Sequence, residues 1–152
     1  MLFRSLEHSI CYALIEIADA EQTKLYLNSP DAPTRRTAMI ALDQMPGGSL
    51  EPALATSSLL STDPGLRDAA SWIVSRHPEW GAALAGFLKQ SLASAGSAPQ
   101  EQGALAQRLA RFAGDPAVQK VLSDQLLDPG ASVHARRTAL AAVAQTGFKE
   151  AP

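Results

Sequence analysis

Apolar residues recur at intervals of three and four along nearly the whole chain, and short breaks rich in Pro, Gly, Ser and Asp separate the runs. The clearest run is Asp63 to Trp80. Leu66, Ala69, Ala70, Ile73 and Val74 fall on one helical face. Asp63 is placed to take up free N–H groups of the first turn, and Pro64 occupies the first helical position, where its missing N–H costs nothing. Pro78 closes the helix, and Glu79-Trp80 opens the next.

The same reading predicts helices along the rest of the chain. The first runs from about Leu2 to Ala18, with Leu6, Ile10, Leu14 and Ile17 as its apolar stripe. A short second segment, capped by Asp19 and running from Ala20 to Leu27, buries Leu25 and Tyr26. The third, Ala32 to Met45, is capped by Asp31, buries Ala38, Ala41, Leu42 and Met45, and stops at Pro46-Gly47-Gly48. Ser49 caps a fourth, which reaches Leu60 and buries Leu50, Leu54 and Leu59. The Asp63 helix is fifth. The sixth, Glu79 to Ala93, carries Trp80, Leu84, Phe87, Leu88 and Leu92 inside. Leu105, Leu109 and Phe112 line the seventh (Gln100 to Ala113). The eighth, capped by Asp115-Pro116, buries Val118, Val121, Leu122 and Leu126. The ninth, Ala131 to Gln145, buries Ala139, Leu140 and Val143. No stretch alternates as a strand does. The fold class expected is all-α.

An internal repeat organises these helices. Pro33, Pro64, Pro99 and Pro129 stand near helix starts at spacings of 31, 35 and 30 residues. Arg35-Arg36-Thr37-Ala38 is repeated as Arg136-Arg137-Thr138-Ala139, and Arg67-Asp68-Ala69-Ala70 fits the same frame. Two helices per period of this length define a helical solenoid, whose hairpins bury their apolar faces only by stacking on neighbours. The expectation is one domain over residues 1–152, an α–α superhelix of about four helical-hairpin repeats.

Composition narrows the function. The 152 residues are 46% hydrophobic and carry 13 basic and 15 acidic side chains, for a net charge of −2. That balance disfavours a nucleic-acid binder, which relies on neutralising phosphates. The single cysteine, Cys11, excludes an intrachain disulfide. No run is long enough for a membrane span, and the stretch from Met1 lacks the form of a signal peptide. The first helix begins abruptly at Met1, as in a segment cut from a longer chain, and the end helices are then expected to carry incompletely covered apolar faces.

The units resemble HEAT repeats: a capping Asp, often a Pro, then Arg, two small residues and a bulky aliphatic, as in Asp31…Arg35 and Asp63…Arg67. The Pro99 unit departs, with Ala98 and Glu101 in those places, and the last unit has Ser132 before Arg136. Three phrases, Leu6–Asp19, Arg35–Gly48 and Ala69–Gly81, are similar to the HEAT segment of large exported bacterial proteins of the planctomycete type. Those chains join a sugar-dehydrogenase-like β-propeller, HEAT repeats and a c-type cytochrome domain. This resemblance implies an exported or periplasmic parent whose redox chemistry lies outside this stretch. The haem-attachment motif Cys-x-x-Cys-His is absent, and no cofactor is expected here.

Candidate chemistry is sparse. His8 beside Glu7, and His77 near Glu79, are the only pairings that suggest metal ligands, and the His-Glu dipeptides of HEAT-like iron hydroxylases do not occur. His77 also suits a helix C-terminus, where a cation meets the dipole. Cys11, with His8 three residues before it, reads as a small half-buried side chain rather than a nucleophile. No catalytic or metal residue is assigned. What remains is a possible interaction surface of Arg35, Arg36, Arg67, Trp72, Arg136 and Arg137. The arginines occupy equivalent positions in three repeats, and either line a basic strip on the concave face or bond to turns. Trp72 lies off its helix's stripe, and its size favours a seam between repeats over a partner-facing position. The function expected is a non-catalytic scaffold or protein-interaction module linking domains of a larger protein. The alternative is a DNA-processing HEAT-like protein using the arginine strip.

Overall fold

The computed structural model describes residues 2–147, with side chains from Leu6 onward except Glu7. Among these residues there are nine α-helices and no strand. They are α1 (Leu2–Ile17), α2 (Ala20–Leu25), α3 (Ala32–Gln44), α4 (Pro52–Ser58), α5 (Pro64–Arg76), α6 (Gly81–Ala93), α7 (Pro99–Phe112), α8 (Pro116–Leu127) and α9 (Val133–Gln145). Tyr26–Asn28 and Pro78–Trp80 form single 3-10 turns. The all-α expectation holds. The chain divides into two compact units, Met1–Arg76 and His77–Pro152.

In the first unit α3 packs against α1 and α5, α4 packs on α5, and α2 packs on α3. The core forms where the sequence places it on α3 and α5. Ala38, Ala41, Leu42 and Met45 are buried, as are Leu66, Ala69, Ala70, Ile73 and Val74. The start of α5 is fixed as its sequence dictates: the Leu66 amide donates to Asp63 Oδ1 at 2.7 Å. After α3 the chain reverses through Gly47, whose φ of +72° suits a residue without Cβ, and Gly48 lies against the Leu42 carbonyl.

Three expectations for this unit fail. On α1, Leu6 is 59%, Ile10 47% and Ile17 70% exposed, whereas Cys11, Leu14 and Ile15 are half-buried and Cys11 Sγ lies 4.0 Å from the Thr37 carbonyl oxygen of α3. Leu25 and Tyr26 are also exposed, and α2 buries Thr23, whose hydroxyl donates to the Asp19 carbonyl at 2.7 Å. The residue at the N-cap of α4 is Glu51, with no side-chain cap, rather than Ser49. Leu50 and Leu59 are buried as expected, and Leu54 is half-buried.

In the second unit α6 packs on α8, α7 on α9 and α8 on α9. Leu84, Leu88, Leu92, Leu109, Phe112 and Val118 are its large fully buried side chains. Phe87, Leu105, Leu126 and Val143 are half-buried. Trp80, expected inside, is also half-buried, because it ends the 3-10 turn and precedes α6, where its ring stacks on His77 at 4.0 Å. Leu140 is 57% exposed, since Ala135, Thr138, Ala139 and Ala142 form the buried side of α9.

Candidate functional site

The repeated Arg has a defined local task. Arg35 Nη1 donates to the carbonyl oxygens of Ser29 at 2.6 Å and Pro30 at 3.0 Å. Arg67 Nη1 donates to those of Ser61 at 2.7 Å and Thr62 at 3.1 Å. Arg136 Nη2 does the same to Asp128 at 2.7 Å and Pro129 at 2.8 Å. Each Arg stands four residues after a capping side chain: Asp31 holds the Thr34 amide, Asp63 the Leu66 amide and Ser132 the Ala135 amide. The cap fixes the helix start, and the Arg folds back over the preceding loop. Loop carbonyls left without a helical N–H thereby gain a cationic donor.

The device extends beyond the arginines. Gln102, four residues after the N-cap Ala98, donates from Nε2 to the Gly96 carbonyl at 2.8 Å. Gln119, four after Asp115, donates to the Ala113 carbonyl at 2.9 Å. The Pro99 unit therefore keeps the loop-bonding position with Gln102 and not with Glu101, the residue expected there, because the device stands four residues after the N-cap Ala98 and Glu101 only three; the unit lacks both the Asp and the Arg. Sequence reading missed both glutamines because Gln carries no charge signal. A signal existed in the fixed spacing after each helix start.

The burial register recurs with the device. Thr37-Ala38, Ala69-Ala70 and Thr138-Ala139 are buried at equivalent positions, as are Ala41, Ile73 and Ala142 one turn later. The second Arg of each Arg-Arg phrase turns away from the loop. Arg36 lines a groove between α1 and α3, and its guanidinium lies where a Cβ on Gly65 would sit. Arg137 lines a shallower groove between α7 and α9 with Pro99, Gly103 and Leu140. Arg35, Arg67 and Arg136 serve loops, whereas Arg36 and Arg137 border grooves in separate units.

Trp72 does not fill a buried seam. It is 44% exposed, and the Arg76 guanidinium carbon stands 4.7 Å from its ring centroid. Arg76 also reaches Gln44 Oε1 at 3.4 Å. This places a flat aromatic and a cation together on the surface of α5.

A groove of about 600 Å³ lies between α1 and α3. Leu6, Ile10 and Leu14 form one wall, and Tyr26, Pro33, Thr34, Arg36, Thr37 and Ala38 form the rest. Its described lining is mostly apolar and includes the cation Arg36. Among its described lining residues there is no pair of acid and base and no cysteine. Cys11 Sγ lies 4.0 Å from the Thr37 carbonyl oxygen of α3.

The histidines are scattered. His77 Nδ1 pairs with Glu79 Oε1 at 2.6 Å, and His134 Nδ1 lies 3.3 Å from Gln102 Nε2. The Glu79 carboxyl is held below its ordinary pKa by its own backbone amide first and by His77 second. His8 is exposed, and its expected neighbour Glu7 lies outside the described side chains. No cluster of three His, Cys, Asp or Glu side chains that could hold a metal occurs among the described residues. No helix among them is long and apolar enough to cross a membrane. Comparison with family models, with curated proteins and with solved structures finds no match.

Proposed function

We propose that this chain is a non-catalytic helical-repeat scaffold of the HEAT type, stacked as an α–α superhelix and acting as a spacer or protein-docking module. The observation that carries the reading is the recurrence of one register in α3, α5 and α9: cap, Arg four residues later, then two small buried residues. Such a register is what stacked hairpins need, since each unit must present the same small-residue face to its neighbour. The grooves carry apolar and single cationic side chains, a composition suited to holding another chain rather than to transforming a substrate.

The sequence resemblance extends the proposal to a parent chain, in which the module links a dehydrogenase-like propeller to a cytochrome domain. Sequencing the gene on both sides tests this extension. A propeller-coding region upstream and a Cys-x-x-Cys-His downstream are expected, and unrelated coding sequence on both sides would overturn it. The scaffold reading itself is tested by filter binding to DNA at low salt. No retained DNA is expected, because Arg35, Arg67 and Arg136 already bond to loop carbonyls. A salt-sensitive complex would overturn the scaffold in favour of a nucleic-acid surface.

A further inference from the structure

Two helix pairs share one packing face. In the first unit α3 packs on α5, and the Arg36 guanidinium of α3 lies against Gly65 near the start of α5. In the second unit α7 packs on α9, and Pro99, Gly103 and Ala106 of α7 line the groove between them. Counted from the N-caps Asp31 and Ala98, Arg36 is equivalent to Gly103 and Met39 to Ala106, so α3 and α7 turn the same face to the helix that follows. Burial agrees. Met39 and Leu42 on α3 are buried, as are Ala106 and Leu109 on α7, and Asp43 and Ala110 are half-buried. Counted from its own N-cap Ser132, α9 has Leu140, Val143 and Ala144 at these positions, and each is more open. Leu140 is 57% exposed where Met39 is 1%, Val143 is half-buried and Ala144 exposed. Arg137, the equivalent of Arg36, is exposed as well. Arg137 and Leu140 reach the rim of the α7–α9 groove, but that contact does not cover them. The face that a following helix buries on α3 and α7 is thus open on α9.

We propose that this face of α9 docks the leading helix of another helical-repeat chain, seated as α5 is seated on α3. The helices already in such seats define the chemistry of the occupant. α5 meets Arg36 with Gly65, and buried Ala69 and Ile73 follow on the same side at intervals of four. α9 meets Gln102 of α7 with His134, and buried Thr138 and Ala142 follow in the same way. The docking side therefore carries short or β-branched side chains four residues apart, which let two helices approach closely. Charge points to the same partner. A Cβ on Gly65 would run into the Arg36 guanidinium and lie 3.4 Å from Asp63 Oδ1, so Arg36 stands beside an acid-capped helix start. Exposed Arg137 offers the same cation to an occupant that begins Asp-x-Gly or Asp-x-small. In a second copy of this chain, α3, α5 and α9 cannot serve, because their own docking sides are buried at Thr37, Ala69 and Thr138. The inference rests on the repeat-scaffold reading, to which it adds a place and a kind of partner.

The test keeps the whole chain and tethers an occupant of this chemistry to it. A copy of residues 49–76, the α4–α5 hairpin, follows Pro152 through a flexible linker of about 15 Gly and Ser residues, which sets an effective concentration of about millimolar. The readout is the rate at which a thiol reagent labels Leu140→Cys, in a chain whose Cys11 is replaced by Ser. Labelling is expected to slow about tenfold on tethering, as for a seat filled most of the time. Ala69→Asp made only in the tethered copy puts a carboxylate on the docking side and should bring the rate back to within about twofold of the untethered chain. Arg137→Glu sets a like charge against the acid cap and should remove at least about threefold of the protection. A Ser97→Cys reporter, in an exposed loop, should label equally in all versions. Circular dichroism checks the fold of each variant, and should Leu140→Cys unfold the chain, Val133→Cys on the same face takes its place. Unchanged labelling at the reporter on α9, or protection that survives Ala69→Asp in the copy, would overturn the docking face. Neither result touches the scaffold reading, which fails separately on retained DNA.

Discussion

The guanidinium of Arg67 is held by the Ser61 carbonyl oxygen at 2.7 Å, and Arg35 repeats this bond with Ser29 at 2.6 Å. Both bonds span six residues and tie the start of a helix to the loop that delivers it. Because the acceptors are carbonyls and not carboxylates, the contribution is that of charge-assisted hydrogen bonds rather than ion pairs. Arg67→Ala should lower stability by about 1–2 kcal/mol. Chemical unfolding should give the same loss at about 50 mM and about 500 mM salt, since little of it comes from screened charge–charge attraction. Gln102→Ala should behave alike with a smaller loss, about 0.5–1 kcal/mol, because its donor is neutral.

Trp72 gives a direct contrast. A tryptophan filling a seam would cost about 3 kcal/mol or more on truncation to Ala. With 44% of its surface exposed and Arg76 over the ring, Trp72→Ala should cost only about 1–1.5 kcal/mol. Thermal unfolding checks this, and Arg76→Ala should reproduce part of the same loss through the broken cation–π contact.

The sequence told some of this and hid the rest for physical reasons. On α5 an Asp, a Pro and a single apolar face agree, so its start and its buried side were both legible. On α1 the periodicity revealed an apolar face but not what would cover it, because a helix pattern carries no information about its neighbour. Leu6, Ile10 and Ile17 therefore stay exposed while Cys11, Leu14 and Ile15 are half-buried. Leu140 misled in the same way, since the alanines of α9 take the buried side. The arginines were legible as equivalent positions, but their use was not. A cation serving a loop and a cation serving a partner look alike until the loop carbonyls are placed.

Gly81 at the start of α6 sits against the N-cap of α8. A Cβ there would lie 2.7 Å from Asp115 Cγ and closer still to its Cβ. Asp115 Oδ1 accepts the Ala117 amide at 2.8 Å, so it cannot move without losing that cap. Gly81→Ala should cost about 2 kcal/mol despite the higher helix propensity of Ala. Asp115→Ala alone should cost about 1 kcal/mol through the lost cap. The double variant should be more stable than the sum predicts, since both changes act on one contact, and urea unfolding of all three variants measures that coupling.

Asp31 sets an acid limit. Its carboxyl is held below the ordinary value by the Thr34 hydroxyl first, then the Thr34 amide, with Arg35 contributing less. A depressed folded-state pKa means stability that is fully present above the unfolded value, about 3.9, and lost as pH falls through the folded one. The melting temperatures of the original chain and of Asp31→Asn should therefore differ most at neutral pH and converge below about pH 4. A gap that stayed constant with pH would mean the Asp31 carboxylate has no preference for the folded state.

The most direct test of the repeat account is to exchange equivalent segments, replacing residues 31–43 by residues 132–144. The two segments share a capping side chain, the Arg-Arg-Thr-Ala phrase and the buried positions Thr37, Ala38 and Ala41 against Thr138, Ala139 and Ala142, and differ where buried Met39 matches exposed Leu140 and buried Leu42 matches half-buried Val143. The measurement is cooperative urea unfolding, with a control in which the same insert is shifted by one residue. The account predicts that the in-register exchange keeps a single cooperative transition and loses about 2–3 kcal/mol from the smaller side chains, while the shifted insert abolishes the transition. An in-register exchange that unfolds as completely as the shifted one would contradict the equivalence of the units.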